Sequence, residues 1–550
     1  MPVTCFLFIG LLFFAGPPEQ QVVNVADPKW GGVDPTGVRD SRPAFDSAMK
    51  SLVATNGGTV CFPSGTYMFD SYETSSAGDR FTGMVYSDNT TIELCPGAAP
   101  GSVTLFHGPH VPPYTFGPIS VFNTAFFMTS RVGMNGYQNV TQNGGFHTLK
   151  SPLTAGATMA EFANPPEAAN CPAGGWIAIT TSTDPVVITP LEINQVIRSD
   201  ARTGLVTLKW PQTISYPTYS GGTAGVYAAC VSHMVRQHVK IDGLTLRAAA
   251  GVLLNDVFDF EMESSHIQCD ATYIGKGKCN FLFANAVRHF VVRNNRFDHY
   301  PADSGPLPAV DLVDNNPIDL LIEGNTFDTV AGAGSEFVEH SIFRHNELVG
   351  GVFSGFDIQV SDNTFRAFPT SQPWAQIADN STAPNPFHFP FAGTKFVNNK
   401  VYGVGGGTGL NTVFTLYQPD TELIGNTIFA TKGEMAIATQ QCCKGLQHNV
   451  ISGNEIHCDA YKGPYACVFL GSTLSHGEVI AGNRLYGTNG TGRGIGVQTP
   501  PDVAGGVVTI FGNTQTGFAA SPPLIDLTKA RCAFIIHDGQ FSLCTAPPGN

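Results

Sequence analysis

Arg293-Asn294-Asn295-Arg296-Phe297, Glu323-Gly324-Asn325-Thr326-Phe327, Arg344-His345-Asn346-Glu347-Leu348 and Ser361-Asp362-Asn363-Thr364-Phe365 are four renderings of one phrase. A β-rich run leads to Gly, Asp, Asn or His, then Asn, then a short step to an apolar residue. The phrase continues at Val397-Asn398-Asn399-Lys400-Val401, Ile424-Gly425-Asn426-Thr427-Ile428, Ser452-Gly453-Asn454-Glu455-Ile456, Ala481-Gly482-Asn483-Arg484-Leu485 and Phe511-Gly512-Asn513-Thr514. From Asn399 through Asn426, Asn454 and Asn483 to Asn513 the steps are 27, 28, 29 and 30 residues. One turn residue held at a period of roughly 20–50 residues marks a solenoid. Asn tolerates left-handed backbone and hydrogen-bonds to nearby backbone, so it suits a repeated turn. β-branched and aromatic residues on either side fit pleated strands. The reading is a parallel β-helix, in which an Asn at the same turn of each coil bonds to those above and below. An antiparallel β-sandwich would show turn signals about every 8–12 residues and would not keep one Asn in phase.

Composition agrees. Of 550 residues only 13% are charged, while Gly numbers 61 and Phe 39, which suits stacked strands and tight turns. A solenoid grows in one dimension, so the length does not demand several domains. The formal net charge of −14 makes nucleic acid and anionic membrane surfaces poor partners. The opening, residues 1–16, carries the apolar run Cys5 to Ala15, too short to span a bilayer and placed where a secretory signal belongs. No other run approaches the roughly 18 apolar residues of a membrane span. The mature chain is therefore expected to be secreted or extracellular, in a periplasm or on a cell surface. Thirteen cysteines leave an even number beyond Cys5, and Cys269/Cys279, Cys458/Cys467 and Cys532/Cys544 stand close. No zinc-type spacing is present, and export makes disulfides the natural reading. Asn89, Asn139, Asn380 and Asn489 open glycosylation sequons.

Residues 17–80 read as a cap and first coils. Val22-Val23-Asn24-Val25 is a strand. Ser41 is placed to cap a helix with Pro43 in its first turn, and Ala44, Phe45, Ala48, Met49 and Leu52 recur at helical spacing. Gly57-Gly58 ends it. Thr59 to Phe69 is a strand, a turn and a strand. The run Gly32, Asp34, Asp40, Ser41, Ala44, Phe45, Ala48, then Gly57-Gly58-Thr59-Val60, Phe62-Pro63, Gly65 and Tyr67 resembles the opening of the pectate lyase superfamily. That group includes rhamnogalacturonase-like proteins, epimerases and many phage tailspikes. The resemblance implies an all-β fold: a right-handed parallel β-helix whose open end is covered by an amphipathic α-helix. A naked end coil would expose a strand edge and a slice of core. The solenoid is expected over residues 81–545. Within it, residues 155–216 read as a small antiparallel insertion, with Trp176–Thr180, Glu192–Ile197 and Leu205–Trp210 as strands and Asp200–Gly204 as a hairpin turn.

Each coil needs a strand before the Asn strand. Successive first strands lie roughly 4.8 Å apart and form one sheet. In the superfamily this sheet floors the substrate groove. Period-2 alternation puts Asp311 and Glu336 outward on neighbouring coils, with Asp314, Glu339, His340, Asn255, Asp256 and Asn285 at the same end. Paired carboxylates suit glycosidic cleavage: about 5 Å apart for a nucleophile and an acid/base, roughly 6.5–9.5 Å for inversion through water. Asp311, Asp314, Glu336, Glu339 and His340 are the catalytic candidates; Asn255, Asp256 and Asn285 are the substrate-binding ones. No cofactor or metal is required for hydrolysis.

Two other chemistries fit the resemblance. A lyase would act on a uronate polymer with a Lys or Arg base, and calcium could then be held by Asp311, Asp314 and Glu336. The first strands of the middle coils offer no such base. Asn-Thr-Asp, adjacent Asp-Asp and Gly-His-Gly are also missing, which sets the chain apart from polygalacturonases. The third is a non-catalytic glycan-binding surface protein. The expected partner in every case is a polysaccharide. Oligomeric state is left open.

Overall fold

The computed structural model describes residues 21–74, 80–113, 115–122, 128–129, 135–136, 145–180, 191–213, 226–231, 236–248, 251–270, 282–300, 311–314, 317–327, 334–348, 351–366, 377–378, 393–403, 412–416, 420–430, 435–439, 448–458, 466–470, 477–487, 493–497, 506–518, 525–526, 533–537 and 540–543. The apolar opening at 1–16 and the sequons at Asn139, Asn380 and Asn489 lie outside these. The chain is a right-handed parallel β-helix. Three walls run along it. The third wall, made by the residues after each Asn, is a parallel sheet that includes His266–Asp270, Arg296–Tyr300, Thr427–Ala430 and Glu455–Cys458. In the middle coils the first and second walls are continuous, because Val252–Glu263, Leu282–Arg293, Gly334–Arg344 and Gly351–Ser361 each bend from one into the other.

The Asn residues stack. Asn325 donates its backbone N–H and its side-chain amide to Asn346 Oδ1, at 2.9 and 3.0 Å, and its amide also reaches Val292 O at 2.9 Å. The same three bonds join Asn426 to Asn454 Oδ1 and Phe396 O. The ladder begins at Ser265, whose N–H donates to Asn295, and reaches Asn513. The left-handed residue is the one before each Asn, not the Asn itself: Asn294, Gly324, His345, Asp362, Asn398, Gly425, Gly453, Gly482 and Gly512 all have φ between 55° and 66°. This explains why the phrase alternates among Gly, Asp, Asn and His there. These are the residues that bear that backbone cheaply.

The cap is an α-helix over Arg42–Ser51 that buries Ala44, Phe45, Ala48 and Met49 on the first coil. Phe45 stacks on Phe62 at 5.8 Å and meets Phe69 at 5.4 Å. Ser41 occupies the N-cap position but makes no side-chain cap bond. Its hydroxyl accepts from Asp34 N–H instead, and Asp40 accepts from Arg42 N–H. Asp34 in turn accepts from Thr36, Val38 and Arg39, so the Gly-Val-Asp-Pro-Thr-Gly segment is folded around one carboxylate. Gly57 cannot carry a side chain: its φ is +119° and a Cβ would lie 2.4 Å from Asn89 O.

The antiparallel sheet of the insertion orders its strands His147–Thr148, Tyr227–Val231, Trp176–Thr180, Leu191–Asp200, Leu205–Leu208 and Met159–Glu161. Cys171–Cys230 closes it, while Cys61–Cys95 ties the first coils and Cys458–Cys467 joins neighbouring walls. Alternate residues serve two faces. Ile177 and Ile179 enter the insertion's own core, and Trp176, Ala178 and Ile193 pack toward Phe258 of the β-helix.

Candidate functional site: a first-wall acidic row and a buried carboxyl pair

Strand register places the acidic candidates. Asp311 is level with Gly334 and Val313 with Ser335, with an irregularity between the two pairs. Asp314 and Glu336 are the residues that directly follow this last level pair. Phe283 is the level neighbour of Asp314 on the preceding coil. Asp311 is level with Gly334, two residues before Glu336, so Asp314 stands closer to Glu336 in register than Asp311 does. The adjacent row, through Val252, Leu282, Val313, Ser335 and Phe353, has Val252, Leu282 and Phe353 buried. Asn255 and Asn285 are also level neighbours, on the coils before. The side chains of Asp311, Asp314, Glu336, Asn255 and Asn285 lie outside the described part of the structure. Asp256 is buried with φ 52°, at the bend out of the first wall.

Glu339 and His340 are consecutive yet lie in opposite environments. His340 is exposed and its Nδ1 meets Asp357 at 2.7 Å. It belongs to a column of left-handed residues at the entry to the second wall: His238, Asp259, His289, Asp319, His340 and Asp357. Asp259 holds both His238 and His289. Glu339, by contrast, is 1% exposed and leaves no face toward an open groove. It sits in a second-wall row with Phe258, Arg288, Ile318 and Phe356, and the insertion covers that row.

Four charged groups meet beneath the insertion. Arg288 donates to Glu192 Oε1 at 3.0 Å and to Asp319 Oδ2 at 3.0 Å, with its guanidinium 4.9 Å over the Trp210 ring. Trp210 stacks on Phe258 at 4.9 Å. The Thr213 hydroxyl stands 3.0 Å from Glu192 Oε2 and 2.9 Å from Glu339 Oε2. A hydroxyl has one hydrogen. It donates to one of these oxygens and must accept from the other, so one carboxyl carries a proton. Glu192 takes further donors from Arg288 and from Thr213 N–H, which suit the ionised form. Burial pushes Glu339 up to about 8, and the nearby Glu192 charge pushes the same way. Glu339 is therefore the acid of the pair. Its Oε1 has no hydrogen-bond partner among the described residues.

None of Glu192, Thr213, Arg288 and Asp319 was among the candidates read from the sequence. The available signal was a Glu inside the otherwise β-rich run Leu191 to Ile197. Among the described residues no group of three or more His, Cys, Asp or Glu is arranged to hold a metal ion. No described helix is long and apolar enough to cross a membrane.

No protein-family model matches the sequence, and no curated protein is similar to it. Solved structures are similar in fold. The tailspike protein gp49 of Pseudomonas phage LKA1 is 12% identical over 94% of this chain and 78% of its own, with a TM-score of 0.48. The A-module of the Azotobacter vinelandii mannuronan C-5 epimerase AlgE4 is 12% identical over 94% and 100%, TM-score 0.41. PfbA, a surface adhesin of Streptococcus pneumoniae, is 10% identical over 90% and 91%, TM-score 0.41. At such identities the likeness is one of fold. The β-helix implied by the resemblance of residues 22–69 is present in this chain's own strand pairing.

Proposed function

We propose that this protein is an extracellular polysaccharide-cleaving enzyme that hydrolyses a glycosidic bond between the carboxyls of Asp314 and Glu336. The observation that supports the reading is the register of the first wall: Asp314 and Glu336 each directly follow the level pair Val313 and Ser335 on neighbouring coils. Strands so paired lie roughly 4.8 Å apart. That spacing matches the roughly 5 Å of a nucleophile and an acid/base, so the expected stereochemical outcome is retention. Like charges held this close favour protonation of one of them, which supplies the general acid. Asp311, earlier on the same strand, is proposed to contact bound substrate. Disulfides suit an oxidising compartment.

Elimination from a uronate needs a base, and Arg288, in the second-wall row with Glu339, is buried and held by Glu192 and Asp319. The test is a panel of neutral and acidic polysaccharides followed by reducing ends and by the ultraviolet absorbance of unsaturated uronate. Reducing ends without that absorbance are expected. Both signals together, abolished by a calcium chelator, would replace hydrolysis with calcium-dependent elimination. Binding without either signal would make the protein a glycan-binding surface protein.

A further inference from the structure

We propose that a single proton on Glu339 latches the antiparallel insertion onto the coils, so that the insertion docks in acid and loosens as the pH rises. The geometry is that of one hydroxyl between two acids. Thr213, on the insertion, is within 3.0 Å of both Glu192 Oε2 and Glu339 Oε2. Glu192 is fully buried and Glu339 nearly so. With the proton present, Glu339 donates to Thr213 Oγ1, Thr213 donates to Glu192, and Arg288 balances the Glu192 charge. Every bond in that chain crosses from insertion to β-helix or completes one that does. Without the proton, two carboxylates compete for one hydroxyl hydrogen in a site that excludes water: if Thr213 turns to Glu339, Glu192 keeps Arg288 and Thr213 N–H, but two buried charges then stand on either side of one hydroxyl.

The groups facing Glu339 from each packed element are few. The insertion strand Leu191–Asp200 brings Glu192, and Thr213 follows the strand Leu205–Leu208. Neighbouring coils bring Arg288 and Asp319, the latter already paired to Arg288. His340, next in the chain, is turned to Asp357. One cation thus stands against Glu192 and Asp319 when Glu339 is neutral, and against three carboxylates when it is ionised. Ionisation adds burial cost and repulsion from Glu192 and Asp319 that the Thr213 hydroxyl and the Arg288 charge offset only in part. Undocking exposes Glu339 to water, where a Glu ionises at about 4.3. The docked state holds the proton up to about pH 8. Between those values undocking releases a proton, so docking is strongest below the lower value, weakens through the interval and changes no further above it. The row uncovered by undocking carries Phe258, Ile318 and Phe356, next to the first wall.

The test is hydrogen exchange of the amides of residues 191–200 in the whole protein, corrected for intrinsic rates, from pH 5 to 9. The opening equilibrium is expected to rise by about tenfold per pH unit up to roughly pH 8 and then level off. Glu339→Gln, whose amide can donate to Thr213 as the acid does, is expected to flatten the profile. A wild-type profile flat across this range would overturn the proposal, as would an equally steep one in Glu339→Gln. The wild-type protein alone gives a second reading. Its infrared spectrum at neutral pH is expected to contain the carbonyl stretch of a protonated carboxyl that disappears on raising the pH through about 8. Its absence at neutral pH would also overturn the latch.

Discussion

Two columns of side chains run along the same coils. In each coil the second column precedes the first by the same offset: Asp259 and Ser265, His289 and Asn295, Asp319 and Asn325, His340 and Asn346, Asp357 and Asn363. Register stacks both. From Asn295 to Asn483 the Asn column is buried, and each Asn gives and receives bonds along the stack. The His/Asp column stands at the surface, with His340 and Asp357 side chains 61% and 67% exposed. Its members pair across coils, yet the residue type changes to Gly393 and Asp420 further along. Stacking alone therefore does not fix a residue. Stacking together with exclusion of water does, because an unmet amide in the core costs far more than an unmade ion pair in solvent.

Where water is excluded and charge is present, the contrast should be greatest. Arg288→Ala leaves Glu192 buried without its cation, and a loss of about 3–5 kcal/mol is expected at neutral pH. Urea unfolding followed by tryptophan fluorescence reports it, since Trp176 and Trp210 pack at this junction. The loss should shrink in acid, as Glu192 takes up a proton. Next comes the Asn column. Asn426→Ala strands the N–H and amide of Asn399 and the carbonyl of Phe396, an expected loss of about 3 kcal/mol by chemical denaturation. The mildest change belongs to the exposed column: Asp357→Ala should cost under about 0.5 kcal/mol and be insensitive to added salt. A loss at Asp357 equal to that at Asn426 would erase the distinction between the two columns.

The cap offers a pH-based comparison of its own. Hydrogen bonds from Thr36, first its hydroxyl and then its N–H, hold Asp34 down at about 2. A depressed carboxylate stabilises above its unfolded value of about 3.9 and loses that contribution as the pH falls toward 2. Amide exchange over residues 34–41 is expected to accelerate over that interval relative to the Asn ladder, and Asp34→Asn should remove the difference.

How much of this could be read beforehand follows the same division. The Asn ladder was visible because a buried turn repeated in every coil writes itself into the sequence at each period. The cap was visible because the helix period and the Gly57-Gly58 constraint are local. The left-handed residue was misplaced by one, since Gly, Asp and His before each Asn carry that conformation. The irregular step between Asp311 and Val313 was hidden, and with it the closer register of Asp314 to Glu336. A bulge depends on both strands at once. Glu339 stands among the catalytic candidates at the same end of the sheet as His340 because nothing nearby in sequence announces Glu192 and Thr213, its partners from far earlier in the chain.

The central claim, that neighbouring coils bring Asp314 and Glu336 together to cut a polysaccharide, is tested most directly by turnover. Asp314→Asn and Glu336→Gln would be assayed on whichever polysaccharide the wild type degrades, with folding verified by unchanged circular dichroism and thermal midpoint. Each is expected to lose at least about 100-fold in kcat, the scale of a lost acid, base or nucleophile. Turnover within about twofold of wild type in both, a range too small for any lost catalytic group, would contradict the account.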